Sequence, residues 1–214
     1  MFDRRVYATL IFIVSVSGLS AGMWLAGHLT SGKGVPQIAG LLWPNPKSVS
    51  PFQLIDQKGR PFNLEQLKGK WSFMYFGYTH CPDICPLTLQ TLNVVIKKLA
   101  PDVRLASSTR VVMATVDPER DTQQQLAVYL AYFNPHFVGL TGTEAQMEAF
   151  TRDLGIVRMK IIEPGKTDYH VDHSASILLV DPAARLVGSF SPPHSAEVIA
   201  REYRDIRSFI ERQT

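Results

Sequence analysis

Cysteine is nearly absent: the 214 residues hold two, Cys81 and Cys85. A tetrathiolate structural zinc site needs a second pair, so it is excluded. No Lys/Arg cluster interleaves with aromatic residues, and a formal net charge of +3 is too small and too evenly spread for a nucleic-acid-binding face. There is no internal repeat and no second apolar core. With 45% hydrophobic and 19% charged residues the chain has the composition of a folded protein, one domain of ordinary size with a short appendage.

Charge is also missing from residues 6–32, and residues 7–29 are rich in Leu, Ile, Val, Ala and Gly. Roughly 20 apolar residues cross a bilayer as a helix. Arg4 and Arg5 precede the run, which keeps the N-terminus cytoplasmic and exports the remainder of the chain. A cleaved secretory signal is the competing reading, since Leu19-Ser20-Ala21-Gly22 offers small residues. The apolar run continues past that point, which favours a retained anchor over residues 1–30. Both readings place the domain in an oxidising compartment.

Residues 31–50, dotted with Gly and Pro, read as a linker, and residues 51–214 as the domain. Gln57-Lys58-Gly59 reads as the turn of a hairpin, and Asn63-Leu64-Glu65-Gln66 as a helix cap. Residues 71–76 form a dense apolar run, expected as a buried strand, and residues 86–100 a helix with Leu89, Leu92, Val95, Ile96 and Leu99 on one face. A core strand is expected over 110–116, helices over 122–133 and 143–154, and short strands over 137–140 and 157–162. A polar loop is expected over 163–173. Strands over 176–180 and 186–190 flank the turn Asp181-Pro182-Ala183-Ala184, and Ser195 caps a last helix to about residue 212. Strands alternating with helices and closing on a hairpin indicate an α/β fold with a mixed central sheet.

The two cysteines sit where the buried strand ends and the helix begins, in Tyr78-Thr79-His80-Cys81-Pro82-Asp83-Ile84-Cys85-Pro86. Helix N-terminal amides stabilise thiolate charge, and positions i and i+4 share a helix face, so the sulfurs can converge. The pair could close a small disulfide, hold a soft metal, alternate between those states, or be structurally inert. The spacing is one residue longer than the C-x-x-C of a thioredoxin-type centre. Of six histidines, His173 stands out, at the end of a polar segment just before a core strand. Loops at neighbouring strand ends meet in such sheets. Two thiolates and an imidazole form a soft, low-coordination set suited to copper, the thiolates favouring Cu(I) and the imidazole helping to hold Cu(II).

Three segments resemble the Sco/SenC family: Phe76-Gly77-Tyr78-Thr79-His80-Cys81-Pro82-Asp83-Ile84-Cys85-Pro86, Thr115-Val116-Asp117-Pro118-Glu119-Arg120-Asp121-Thr122, and Tyr169-His170-Val171-Asp172-His173-Ser174. The resemblance covers about residues 50–212. It implies a thioredoxin-like domain with an extra N-terminal hairpin, behind one transmembrane helix in the inner membrane, with the C-terminal domain in the periplasm. It implies Cys81, Cys85 and His173 as copper ligands and Asp117 as an acidic residue near the metal. Asp172 either orients His173 or caps a turn, and His80 and His170 match no ligand position. Ala184 departs from the glycine common in the family's hairpin turn.

The role so implied is copper delivery to the dinuclear copper centre of cytochrome c oxidase subunit II, with other copper chaperones or thioredoxin-like reductants as further partners. Ligand exchange breaks no bond in a substrate, so enzyme activity is secondary. The alternative is a thiol–disulfide oxidoreductase acting on the acceptor's cysteines, with Cys81 attacking and Cys85 resolving. A redox or copper sensor is the third reading.

Overall fold

The computed structural model describes residues 15, 17–25, 41–162, 165 and 168–213. The chain divides into two compact units, residues 1–37 and 38–214. In the first, residues 15 and 17–25 are helical with exposed side chains. The rest of the expected anchor lies outside the described residues, as does most of the expected linker. Among the described residues no helix is long and apolar enough to cross a membrane.

The second unit is built on a sheet of eight strands. Its centre is β4 (Trp71–Gly77), parallel to β5 (Thr109–Thr115), which is parallel to β6 (Val138–Thr141). All seven residues of β4 are buried, which explains an apolar run without alternation: both faces of this strand are covered. On the other side β9 (Ile177–Val180) runs antiparallel to β4, followed by β10 (Arg185–Phe190) and β1 (Leu41–Ser48). The far edge is the hairpin β2 (Gln53–Asp56) and β3 (Pro61–Asn63). The mixed α/β sheet is thus the one the strand–helix alternation predicts.

Helix boundaries follow local chemistry. α1 (Leu64–Leu67), α4 (Gln123–Phe133) and α5 (Glu144–Asp153) each begin at a capping box, formed by Asn63 with Gln66, Thr122 with Gln125 and Thr143 with Gln146. α2 (Ile84–Leu99) buries Cys85, Thr88, Leu89, Leu92, Val95 and Leu99 along one stripe. α6 (Ala196–Glu211) starts at Ser195 and buries Ile199, Tyr203 and Ile206.

Three differences from the expected elements have identifiable causes. Residues 41–48, inside the stretch read as a linker, form β1, because the open edge of β10 offers unpaired backbone groups. α3 (Val103–Ser108) is an additional short helix, started by the Asp102 carboxylate accepting from the Arg104 and Leu105 amides. The polar segment before His173 is not all loop: Tyr169–His173 is a strand, β8, paired antiparallel with β7 (Arg158–Ile162) in a separate two-stranded ribbon. Alternating polar side chains hide this strand, since only Val171 in it is buried.

Candidate metal and thiol centre

The site lies at the carboxyl ends of the parallel strands, where ligand crevices form in open α/β sheets. Gly77 of β4 pairs with Thr115 of β5, so the cysteine loop and the Asp117 turn leave the sheet side by side, tied by a bond from the Val116 amide to the Gly77 carbonyl. The antiparallel strand β9 enters opposite Tyr75, at Ile177. That register delivers the segment before β9, with His173, to the same end of β4.

Cys81, Cys85 and His173 come together: their donor atoms all lie within 4.8 Å of one another. The His173 ring reaches Cys85 Sγ through Nε2 at 3.5 Å, across 88 positions of sequence. Its Nδ1 lies 3.1 Å from the Ser174 carbonyl. A carbonyl only accepts, so Nδ1 donates to it, and Nε2 is the ring nitrogen that faces the sulfurs. The ring stands edge-on between Tyr75 and Tyr78, at centroid distances of 6.2 and 5.9 Å.

The two thiols are unequal. Cys85 is fully buried, and the Tyr75 hydroxyl donates to its sulfur at 3.3 Å. Cys81 is half-buried and accepts from the Cys85 amide at 3.4 Å, the first turn of α2 supplying the donor. The bond from the Cys85 thiol, with further donors in His173 and the Cys85 and Asp83 amides, draws Cys81 down to about 4. The same Cys81–Cys85 bond, together with burial, pushes Cys85 above the ordinary thiol range. A half-buried thiolate beside a fully buried thiol is the polarity a nucleophile and its resolving partner require.

Gly77 makes this packing possible. A Cβ there would stand 2.7 Å from the Tyr75 ring and 2.9 Å from Cys85 Sγ. Asp121, fully buried, holds the entry to the cysteine loop by accepting from the Thr79 amide and hydroxyl and from the Thr115 hydroxyl. Burial raises its carboxyl.

Asp117 is not among the three converging donors. It is buried, pairs with Arg120, and accepts from the Tyr169 hydroxyl at 2.9 Å, so it anchors the start of the strand that ends at His173. Asp172 lies on the exposed side of β8, and the partner of the His173 ring is the Ser174 carbonyl instead. His80 is exposed and contacts the Thr79 hydroxyl, and His170 is exposed on β8. His194, which carries no signal in sequence, holds the Ala175 carbonyl at 2.9 Å through Nε2 and so braces the loop after His173. Tyr75, Tyr78 and Asp121 are also missed. The available signal was a phenol inside a fully apolar strand run, since a buried hydroxyl needs a partner.

Fold and donor set together define a thioredoxin-like protein whose strand-end dithiol is completed by an imidazole. Residues 44–208 match the SCO1/SenC family, and the chain belongs to that family. A protein of Stutzerimonas stutzeri, provisionally described as copper-binding, is 37% identical over 75% of this chain and 78% of its own length. The mitochondrial SCO2 homolog of Mus musculus is 39% identical over 72% of this chain, but only 60% of that longer protein is spanned. Among solved structures, Arabidopsis thaliana ScoI with copper bound matches with a TM-score of 0.69 at 36% identity, over 74% of this chain and 98% of that one. BsSco, a member of the Sco family of cytochrome c oxidase assembly proteins in which a disulfide switch was identified, matches with a TM-score of 0.61 at 25% identity, over 78% and 98%.

Proposed function

We propose that this chain is a copper metallochaperone, carrying copper on Cys81, Cys85 and His173 and passing it to the dinuclear copper centre of cytochrome c oxidase subunit II. The observation that carries the reading is the convergence of two sulfurs and an imidazole nitrogen within 4.8 Å. The donors are of the soft kind that selects copper over magnesium or calcium. The copper-bound Arabidopsis relative and the oxidase-assembly description of BsSco support the same reading. Copper is cargo here. A three-donor site leaves a coordination position free, so an acceptor thiolate attaches before Cys81 lets go. Residues 1–30 are the proposed single-pass anchor in the inner membrane, residues 31–50 the tether, and the domain works in the periplasm, where other copper chaperones or thioredoxin-like reductants act as further partners.

The experiment is a copper titration of the reduced full-length chain. One copper per chain is expected, with Cu(II) retention lost in His173→Ala while Cys81–Cys85 oxidation remains possible. A stoichiometry well below one, or Cu(II) retention unchanged in His173→Ala, overturns the reading.

A second reading, thiol–disulfide exchange, is favoured by the inequality of the two thiols. In it the Cys81 thiolate attacks an acceptor disulfide and releases one acceptor thiolate. Cys85 then attacks the Cys81 sulfur of the mixed disulfide, freeing the second acceptor thiolate and closing the Cys81–Cys85 bond. The pair loses two electrons and the Cys85 proton; the acceptor gains both electrons and that one proton, and its second thiolate takes any further proton from water. Here His173→Ala keeps function, while replacing either cysteine abolishes it.

A further inference from the structure

The ribbon that carries His173 pairs with no strand of the main sheet. Its side-chain attachments to the body run along its length, from Tyr169 to Arg158, the cross-strand partner of His173. Tyr169 is held by Asp117, Asp168 by Arg120, Lys160 by Glu119, and Arg158 by the Val116 carbonyl and by Glu144. Among the described residues one side chain of the body reaches the backbone of β8. The Val171 amide, two residues before His173, donates to the Tyr78 hydroxyl at 3.2 Å. Both residues are buried, Tyr78 at 3% and Val171 at 4% exposure, so water does not compete for this bond.

Tyr78 also touches the other half of the site. Its carbonyl accepts from the Cys81 amide at 3.3 Å, and its ring stands edge-on to the His173 ring at 86°. One residue thus ties the thiol loop at its backbone end and the imidazole strand at its phenol end.

We propose that Tyr78 is the positioning residue that sets the reach between His173 and the two thiols, its hydroxyl fastening the backbone of β8 two residues before the imidazole. The proposal rests on the copper reading for its consequence, but the fastening is a property of the chain alone. Outer groups that orient metal ligands typically change affinity by about 10- to 100-fold when removed. Because Cu(I) is satisfied by the two thiolates while Cu(II) leans on the imidazole, the loss falls on one oxidation state.

Tyr78→Phe tests this, since it keeps the ring and the carbonyl and removes only the acceptor. In the reduced, copper-free full-length chain, exchange of the Val171 amide with solvent should speed up at least about tenfold, with amides of β4 and β5 unchanged. The Cu(II) dissociation constant should rise about tenfold with a shifted thiolate-to-copper absorption band, and that for Cu(I) should stay within about twofold. In a His173→Ala background Tyr78→Phe should add nothing to the copper loss. Unchanged Val171 exchange overturns the proposal. So does equal weakening of both oxidation states, or an effect that persists without His173. Should His173→Ala alone leave Cu(II) binding intact, the copper reading fails, and Val171 exchange with the His173 ring resonances still decides whether Tyr78 holds the ribbon.

Discussion

Two cysteines four positions apart behave oppositely because one is only half-buried just before a helix start and the other is sealed beneath a tyrosine. The Cys81 thiolate is lost only as pH falls through its lowered pKa of about 4, so its reactivity should outlast that of an ordinary thiol in acid. In the reduced chain, alkylation should label Cys81 alone, at a rate nearly constant from about pH 8 to about pH 5 and falling toward pH 4, read by peptide mass spectrometry. Equal labelling of both cysteines, or a steady decline from pH 8, would refute the inequality. Gly77 is the second residue on which the centre depends. Gly77→Ala forces a methyl into the Tyr75 ring and the Cys85 sulfur, and overpacking of this kind typically costs about 1–3 kcal/mol. Denaturant melts should show that loss together with weakened copper retention. The three donors were legible in sequence because sulfur and imidazole are scarce and their contexts distinctive. Tyr75, Tyr78 and Asp121 were not, because a buried hydroxyl or carboxylate declares its role only through the partner it meets.

At the scale of elements, the molecule uses one turn device twice. In the β2–β3 hairpin the Asp56 carboxylate accepts from the Lys58 and Arg60 amides and the Arg60 side chain. In the β9–β10 hairpin Asp181 accepts in the same way from the Ala183 and Arg185 amides and the Arg185 side chain. The fourth position of each is left-handed, Gly59 with φ 76° and Ala184 with φ 56°. An L side chain there costs about 1–2 kcal/mol, against which alanine at 184 gains a buried methyl and a less flexible unfolded chain. Ala184→Gly should therefore stay within about 1 kcal/mol of the parent in urea melts, whereas Gly59→Ala, whose new Cβ would also meet Gln123 Oε1 at 3.1 Å, should cost about 1–2 kcal/mol. A large loss at 184 would show that the methyl, and not the backbone, decides that turn. Both turns are readable in sequence, at Gln57-Lys58-Gly59 and at Asp181-Pro182-Ala183-Ala184. Of the ribbon that presents His173, residues 157–162 are readable as extended, but β8 is not, because Val171 is its one buried side chain and leaves no apolar rhythm.

For the whole molecule the consequential boundary is the one before the domain. Val49 is buried, and Leu42 and Trp43 pack against the core, so the strand Leu41–Ser48 belongs to the folded body. A chain beginning at residue 38 should melt close to the full-length protein and bind copper as it does. One beginning at residue 51 leaves the β10 edge open and should melt lower by several degrees and self-associate, as exposed edges do. Calorimetry and size-exclusion chromatography separate the two. Identical behaviour of the two truncations would mean that β1 contributes little.

Local periodicity, capping and scarce side-chain chemistry are enough to read most strands and helices, the buried central strand, the cysteine pair at a helix start and His173 from the chain alone. That β9 enters against β4 at Tyr75, that β1 closes the sheet edge and that a separate ribbon carries the imidazole emerge only in the folded molecule. Those outcomes depend on register between strands far apart in the chain, and backbone pairing leaves almost no trace in which residues are polar or apolar.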